Sequence, residues 1–100
     1  MKLYVDDLRT PPDGWMVVRS SLEAITHLHL LRAHGETLDA LSLDHDLGGD
    51  DTTRPIMLWM CEHNWWPQAI YVHSANMVGA DWLEGMADRY GPDHMLRGWA

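Results

Sequence analysis

Three places in this sequence set acids or histidines directly behind short apolar runs. Asp6 and Asp7 follow Leu3-Tyr4-Val5, Asp44-His45-Asp46 follows the run from Leu38 to Leu43, and His73-Ser74-Ala75-Asn76 follows Ala69 to Val72. Carboxylates brought close together repel one another, so they either hold a proton or bind a hard cation. Oxygen-rich sites suit magnesium, manganese or calcium. Asp6, Asp7, Asp44 and Asp46 are therefore the expected metal ligands, with magnesium or manganese as the expected cofactor. A histidine with its ordinary pKa of about 6.5 takes up and releases protons near neutrality. His45 and His73 are expected either to divide base and acid roles or to supply one metal ligand between them. Ser74 either donates its hydroxyl to a phosphate oxygen or opens the turn before the next helix. Gly48 and Asn76 are further expected phosphate contacts, although Gly48-Gly49 also reads as a plain turn. Asp44, His45, His73 and Ser74 make up the expected catalytic set. Asp50 and Asp51 read as loop acids in solvent.

These groups form one site only if the elements behind them bring the three positions together. Leu3–Val5 reads as a buried strand, and Arg9-Thr10-Pro11-Pro12-Asp13-Gly14 leaves no room for a helix before the next run, Trp15–Val18. Ser20 with Glu23 has capping-box spacing, and Leu22, Ile25, Leu28 and Leu31 then predict a helix from about Ser21 to His34. Leu38–Leu43 is a second buried strand. Thr52 or Thr53 ahead of Pro55 starts a helix in which Ile56, Trp59, Met60 and His63 share a face. Ala69–Val72 is a third strand ending in polar residues, and a last helix carries Trp82, Leu83, Met86, Ala87 and Tyr90 on one side before Gly91-Pro92. No strand is expected after Gly91. The alternation implies a small three-layer flavodoxin-like or receiver-like parallel α/β sheet lacking its first crossover helix, in which ligands bind beyond the carboxyl ends of the strands. Residues 1–100 are read as one domain.

The chain has 100 residues, a hydrophobic fraction of 46% and six tryptophans, enough to build one core despite a net charge of −8. With only seven Lys and Arg, it offers no surface for long DNA, whose binding needs many phosphate contacts. A small phosphorylated ligand is compatible with that charge. The single cysteine, Cys61, precludes an intrachain disulfide and reads as a core residue. Paired acids come almost at once after Met1, and no apolar run approaches membrane-spanning length. A cytoplasmic protein without a membrane partner is expected.

The strand ends resemble those of the response-regulator receiver domain: Val5-Asp6-Asp7 resembles its acidic pair, Leu43-Asp44 its phosphoacceptor strand and Ser74-Ala75 its small-hydroxyl pair. Asp46 falls where a receiver supplies a backbone carbonyl to its metal. A receiver also needs a lysine at its fifth strand, whereas the one lysine here is Lys2. Leu-Asp-His-Asp-Leu followed by Val-His-Ser-Ala-Asn is more similar to the cyclic-phosphate-processing branch of receiver-like domains. That resemblance implies an enzyme acting on a cyclic phosphate, either a cyclic nucleotide or a 2′,3′-cyclic-phosphate RNA end. The expected partner is accordingly a small nucleotide or an RNA end. The rival expectations are a receiver-like module that binds metal and phosphate without turnover, and a nucleotide-sequestering protein whose tryptophans stack a base. Trp59 and Trp82 fall at helix-core spacing, which counts against the last.

Overall fold

In the computed structural model, which describes residues 1–99, Lys2–Val5 (β1) pairs in parallel with both Met16–Val18 (β2) and Ala40–Leu43 (β3). The first strand of the chain therefore lies inside the sheet. Ala69–Val72 (β4) pairs with β3, and Leu96–Trp99 (β5) pairs with β4, giving five parallel strands in the order β2-β1-β3-β4-β5. Three helices connect them: Ser21–Ala33 (α1), Arg54–His63 (α2) and Met77–Tyr90 (α3). This is a receiver-like α/β fold. The acid-bearing ends of β1 and β3 are neighbours, as a shared site requires.

Each helix boundary has a local cause. Ser20 caps α1 by accepting the Glu23 amide at 3.1 Å. The buried stripe of that helix is Ala24, Leu28 and Leu31. Leu22, expected on the stripe, is 74% exposed, because it lies roughly half a turn around the axis from Ala24. Thr53 occupies the cap position of α2 without a side-chain cap bond, while the Thr52 hydroxyl accepts the Arg54 amide. Asn76 caps α3 by accepting the Gly79 amide at 3.0 Å. Its buried stripe keeps Leu83 and Ala87, whereas Tyr90, placed on it by spacing, is exposed.

β2 to β3, β3 to β4 and β4 to β5 all step the same way across the sheet. Right-handed crossovers, the rule for parallel strands, then set α1, α2 and α3 on one face. Leu3, Val5, Leu41, Leu43, Ile70 and Val72 meet the helices in a single core. The connection from β1 to β2 steps the other way and, as expected, carries no helix. What would be the third layer is reduced to the loop 6–15. Trp15 meets Tyr4 and Tyr71 edge-on there, at centroid distances of 6.2 and 6.1 Å.

β5 corrects the expectation that no strand follows Gly91. Leu-Arg-Gly-Trp has no apolar run to announce a strand, and its pairing rests on neighbours instead. Nη2 of Arg97 donates to the carbonyls of Ala87 and Pro92, which ties β5 to the end of α3. Gly98 lies under the Tyr71 ring, where an added Cβ would come within 2.2 Å of Cδ1. Among the described residues no helix follows β5, and no helix is long and apolar enough to cross a membrane.

Candidate functional site

Backbone hydrogen bonds carry the parallel ladder one residue beyond each strand. Asp6 N donates to Val18 O, Asp44 N to Val5 O and His73 N to Leu43 O, at 3.0–3.1 Å. The strand alternation of side chains therefore persists through these positions. Asp6, Asp44 and His73 follow the parity of Tyr4, Ser42 and Tyr71 and belong to the helix-free face. Asp7, His45 and Ser74 follow the parity of the core residues.

Asp6 is 1% exposed and densely bonded. Its Oδ1 accepts the amides of Leu8 and Arg9 at 2.9 and 2.8 Å, and its Oδ2 lies 3.1 Å from Nη1 of Arg9 and 3.0 Å from Nε2 of His73. Burial by itself would raise the Asp6 pKa. The two backbone amides, the His73 ring and the Arg9 guanidinium outweigh it, holding the carboxyl below the usual carboxylate value. His73 stacks on Tyr4 with centroids 4.3 Å apart, and its Nδ1 lies 2.7 Å from the Ser42 hydroxyl. Burial lowers the His73 pKa more than Asp6 and Asp44 raise it, so the ring favours its neutral form.

One ligand atom from each of Asp6, Asp44 and His73 lies within 4.8 Å of the others, a grouping that a single metal ion could bridge. The donor set of two carboxylates and an imidazole fits a hard or borderline divalent cation. Oδ2 is the Asp6 oxygen suited to a cation, since Oδ1 is committed to two amides. Asp7 and Asp46, expected in the same set, stand outside this group. Asp7 lies against the Gly48 backbone, where a Cβ would meet its Oδ2 at 3.0 Å, and Gly48 has the left-handed φ of +85°.

The structure brings His45 and Asp46 to a second cluster. His45 is buried, its Nδ1 lies 2.7 Å from Asp46 Oδ1, and its Nε2 accepts from Nε of Arg54 at 2.9 Å. An Nε2 that accepts leaves Nδ1 as the N–H donor, which fixes the tautomer. The His45 ring packs against Gly79 of α3, and Arg54 lies over Trp82 at 4.6 Å. Asn76 joins this cluster by donating to both Asp46 oxygens at 3.3 and 3.2 Å. The His45 hydrogen bond, then that of Asn76, holds Asp46 below the usual carboxylate value. Ser74 accepts the Asn76 amide at 3.1 Å, so it opens the α3 turn and keeps its proton to donate elsewhere. Asp51 is more than a solvated loop acid: it accepts both the amide and the hydroxyl of Ser21, joining the loop after β3 to the start of α1.

Arg9, Ser42 and Arg54 were not among the residues singled out from sequence. Ser42 was visible as the one polar residue within Ala-Leu-Ser-Leu. Arg9 was visible as a cation three residues after Asp6, within reach of a carboxylate that accepts the amides of the following turn.

The sequence matches the cyclic-phosphate processing receiver domain over residues 1–89. No curated protein and no solved structure matches the chain.

Proposed function

This chain belongs to the cyclic-phosphate processing receiver domain family, and on that premise we propose that it is a metal-dependent phosphoesterase. Its substrate is a cyclic phosphate, carried by a nucleotide or by a 2′,3′-cyclic RNA end. The carrying observation is the grouping of Asp6, Asp44 and His73 at the carboxyl edge of the sheet, where ligands of open α/β sheets bind.

In this reading Asp6 and Asp44 hold magnesium or manganese. A bound divalent cation supplies charge to offset that developing on the phosphate oxygens and lowers the pKa of a bound water. Nε2 of His73 faces the Asp6 oxygen that the cation would take. Released from that bond, with its Nδ1–H donating to the Ser42 hydroxyl and its ring stacked on Tyr4, His73 accepts the proton of the attacking water at Nε2. The water oxygen bonds to phosphorus, one ribose oxygen departs, and a phosphomonoester results. The departing oxygen takes its proton from solvent at the open rim. His45 is buried on the core side of the strand end, bonded to Asp46 and Arg54 and outside the group of Asp6, Asp44 and His73, so its role is to position Asp46. Ser74, whose hydroxyl keeps its proton, serves as a phosphate donor, while Asn76 is committed to Asp46 and to the cap of α3.

A second reading, binding of metal and phosphate without turnover, draws on Arg9, which already offsets the charge of the acids. Incubation with a panel of 2′,3′- and 3′,5′-cyclic nucleotides and cyclic-phosphate-ended RNA, with and without magnesium or manganese, separates the two. Product formed only with metal supports the enzyme. Binding without product supports the second reading.

A further inference from the structure

Nη1 of Arg9 stands where the acids converge: 3.1 Å from Asp6 Oδ2, 3.5 Å from Asp44 Oδ2 and 3.0 Å from the carbonyl oxygen of His73. A single nitrogen thus bridges the ends of three strands, using the Asp6 oxygen that the proposed cation would need. A guanidinium and a doubly charged ion cannot share those oxygens without strong repulsion, so their occupancies are alternatives.

The surroundings of Arg9 suit a side chain that changes place while its backbone stays. The Arg9 amide donates to Asp6 Oδ1 at 2.8 Å, and the Arg9 carbonyl accepts from Nη1 of Arg19 at 2.9 Å. Arg19 also donates to the Asp6 carbonyl at 3.1 Å, which fixes the base of the loop. The Arg9 side chain itself is 46% exposed, and its bonds to the site all run through Nη1. Nε and Nη2 are left as a pair of donors with the planar geometry that matches two phosphate oxygens.

The other cations near this edge are committed. Arg54 donates to His45 and lies over Trp82, Arg19 holds two loop carbonyls, and Lys2 begins β1 at the opposite end of the sheet, over Trp15. Arg9 is the cation left to meet a phosphate.

We propose that Arg9 is an exchangeable counter-ion of the site: it bridges Asp6 and Asp44 before the metal arrives and, displaced by the metal, turns its guanidinium to a non-bridging oxygen of the substrate phosphate. This rests on the proposed metal-dependent reading and adds to it a residue that couples metal loading to phosphate binding. Loss of the guanidinium has opposite effects on the two ligands. Metal binds more tightly because a competitor is gone, and phosphate binds more weakly because a partner is gone.

The test is calorimetric titration of manganese into wild type, Arg9→Met and Arg9→Lys, followed by inorganic phosphate into each manganese-loaded protein. Arg9→Met is expected to bind manganese about 2- to 5-fold more tightly, the scale of a partly exposed ion pair, and phosphate at least about 10-fold more weakly, the scale of a charge-assisted pair. Arg9→Lys, which keeps the charge, is expected near wild type for manganese. Equal or weaker manganese binding by Arg9→Met overturns the exchange while leaving the metal site in place. An Arg9→Lys protein that binds manganese as tightly as Arg9→Met overturns it too, since charge would then not be the competitor. No manganese binding by any of the three overturns the exchange and the metal-dependent reading together.

Discussion

The Ser42 hydroxyl lies 2.7 Å from Nδ1 of His73, joining the middle of β3 to the end of β4. With Tyr4 stacked on the ring and Asp6 at Nε2, it fixes the orientation of His73 from three sides. Ser42→Ala leaves a largely buried ring nitrogen without a partner, which costs about 1–3 kcal/mol. The expected result is a loss of that size in denaturant unfolding, with a lower kcat and a nearly unchanged KM for a cyclic-phosphate substrate. An unchanged kcat would show that His73 does not need this support.

Acid should weaken the fold through the same histidine. Burial, the largest influence, sets the His73 pKa below 6.5 in the folded protein, although Asp6 and Asp44 pull it upward. The unfolded chain, with the ordinary value, then binds the proton more readily, and stability rises with pH wherever that holds. The His73 contribution is complete above about pH 6.5 and is lost as pH falls from there through the folded value. Asp6, held below its ordinary 3.8, adds a second loss in the same direction at lower pH. Urea midpoints should fall between pH 7 and pH 5, and His73→Gln should flatten that fall.

The two site histidines should separate by experiment. His73→Ala removes the proposed base and is expected to lower kcat of the folded protein by about 100- to 10,000-fold with KM little changed, a loss beyond the stability it costs by unpairing Asp6 and Ser42. His45→Ala removes a buried ring between Asp46, Arg54 and Gly79 and is expected to act first on stability. Gly79→Ala gives an independent reading, because its Cβ would lie 2.3 Å from Cγ of His45. Helix propensity favours alanine there by about 1 kcal/mol, but forcing the ring aside costs about 1–3 kcal/mol. A net loss of melting temperature is expected. A stabilised Gly79→Ala protein would show that His45 moves freely.

The sheet, its helices and the adjacency of the Asp6 and Asp44 strand ends were legible because apolar runs broken by acids, glycines and prolines are strong local signals. The face of each acid was harder to read. β3 is buried at all four positions, and only the single polar Ser42 within Ala-Leu-Ser-Leu marks the side to which Asp44 turns, opposite His45. β5 was missed because its pairing depends on Gly98 lying beneath Tyr71 and on Arg97 reaching the end of α3. Arg9 was missed for a related reason: it sits in a proline-rich connection, and only the folded loop returns its guanidinium to the acids.

If Asp6 and Asp44 hold a divalent cation for hydrolysis of a cyclic phosphate, turnover needs both the cation and the Asp44 carboxylate. Phosphorus-31 NMR of a 2′,3′-cyclic nucleotide incubated with magnesium and either wild type or Asp44→Asn, with a chelator-treated wild-type sample alongside, reads both requirements. A phosphomonoester signal is expected with magnesium-loaded wild type, none after chelation, and a rate at least about 100-fold lower for a folded Asp44→Asn protein. Hydrolysis by the chelated protein, or by Asp44→Asn at the wild-type rate, would contradict the metal-dependent reading.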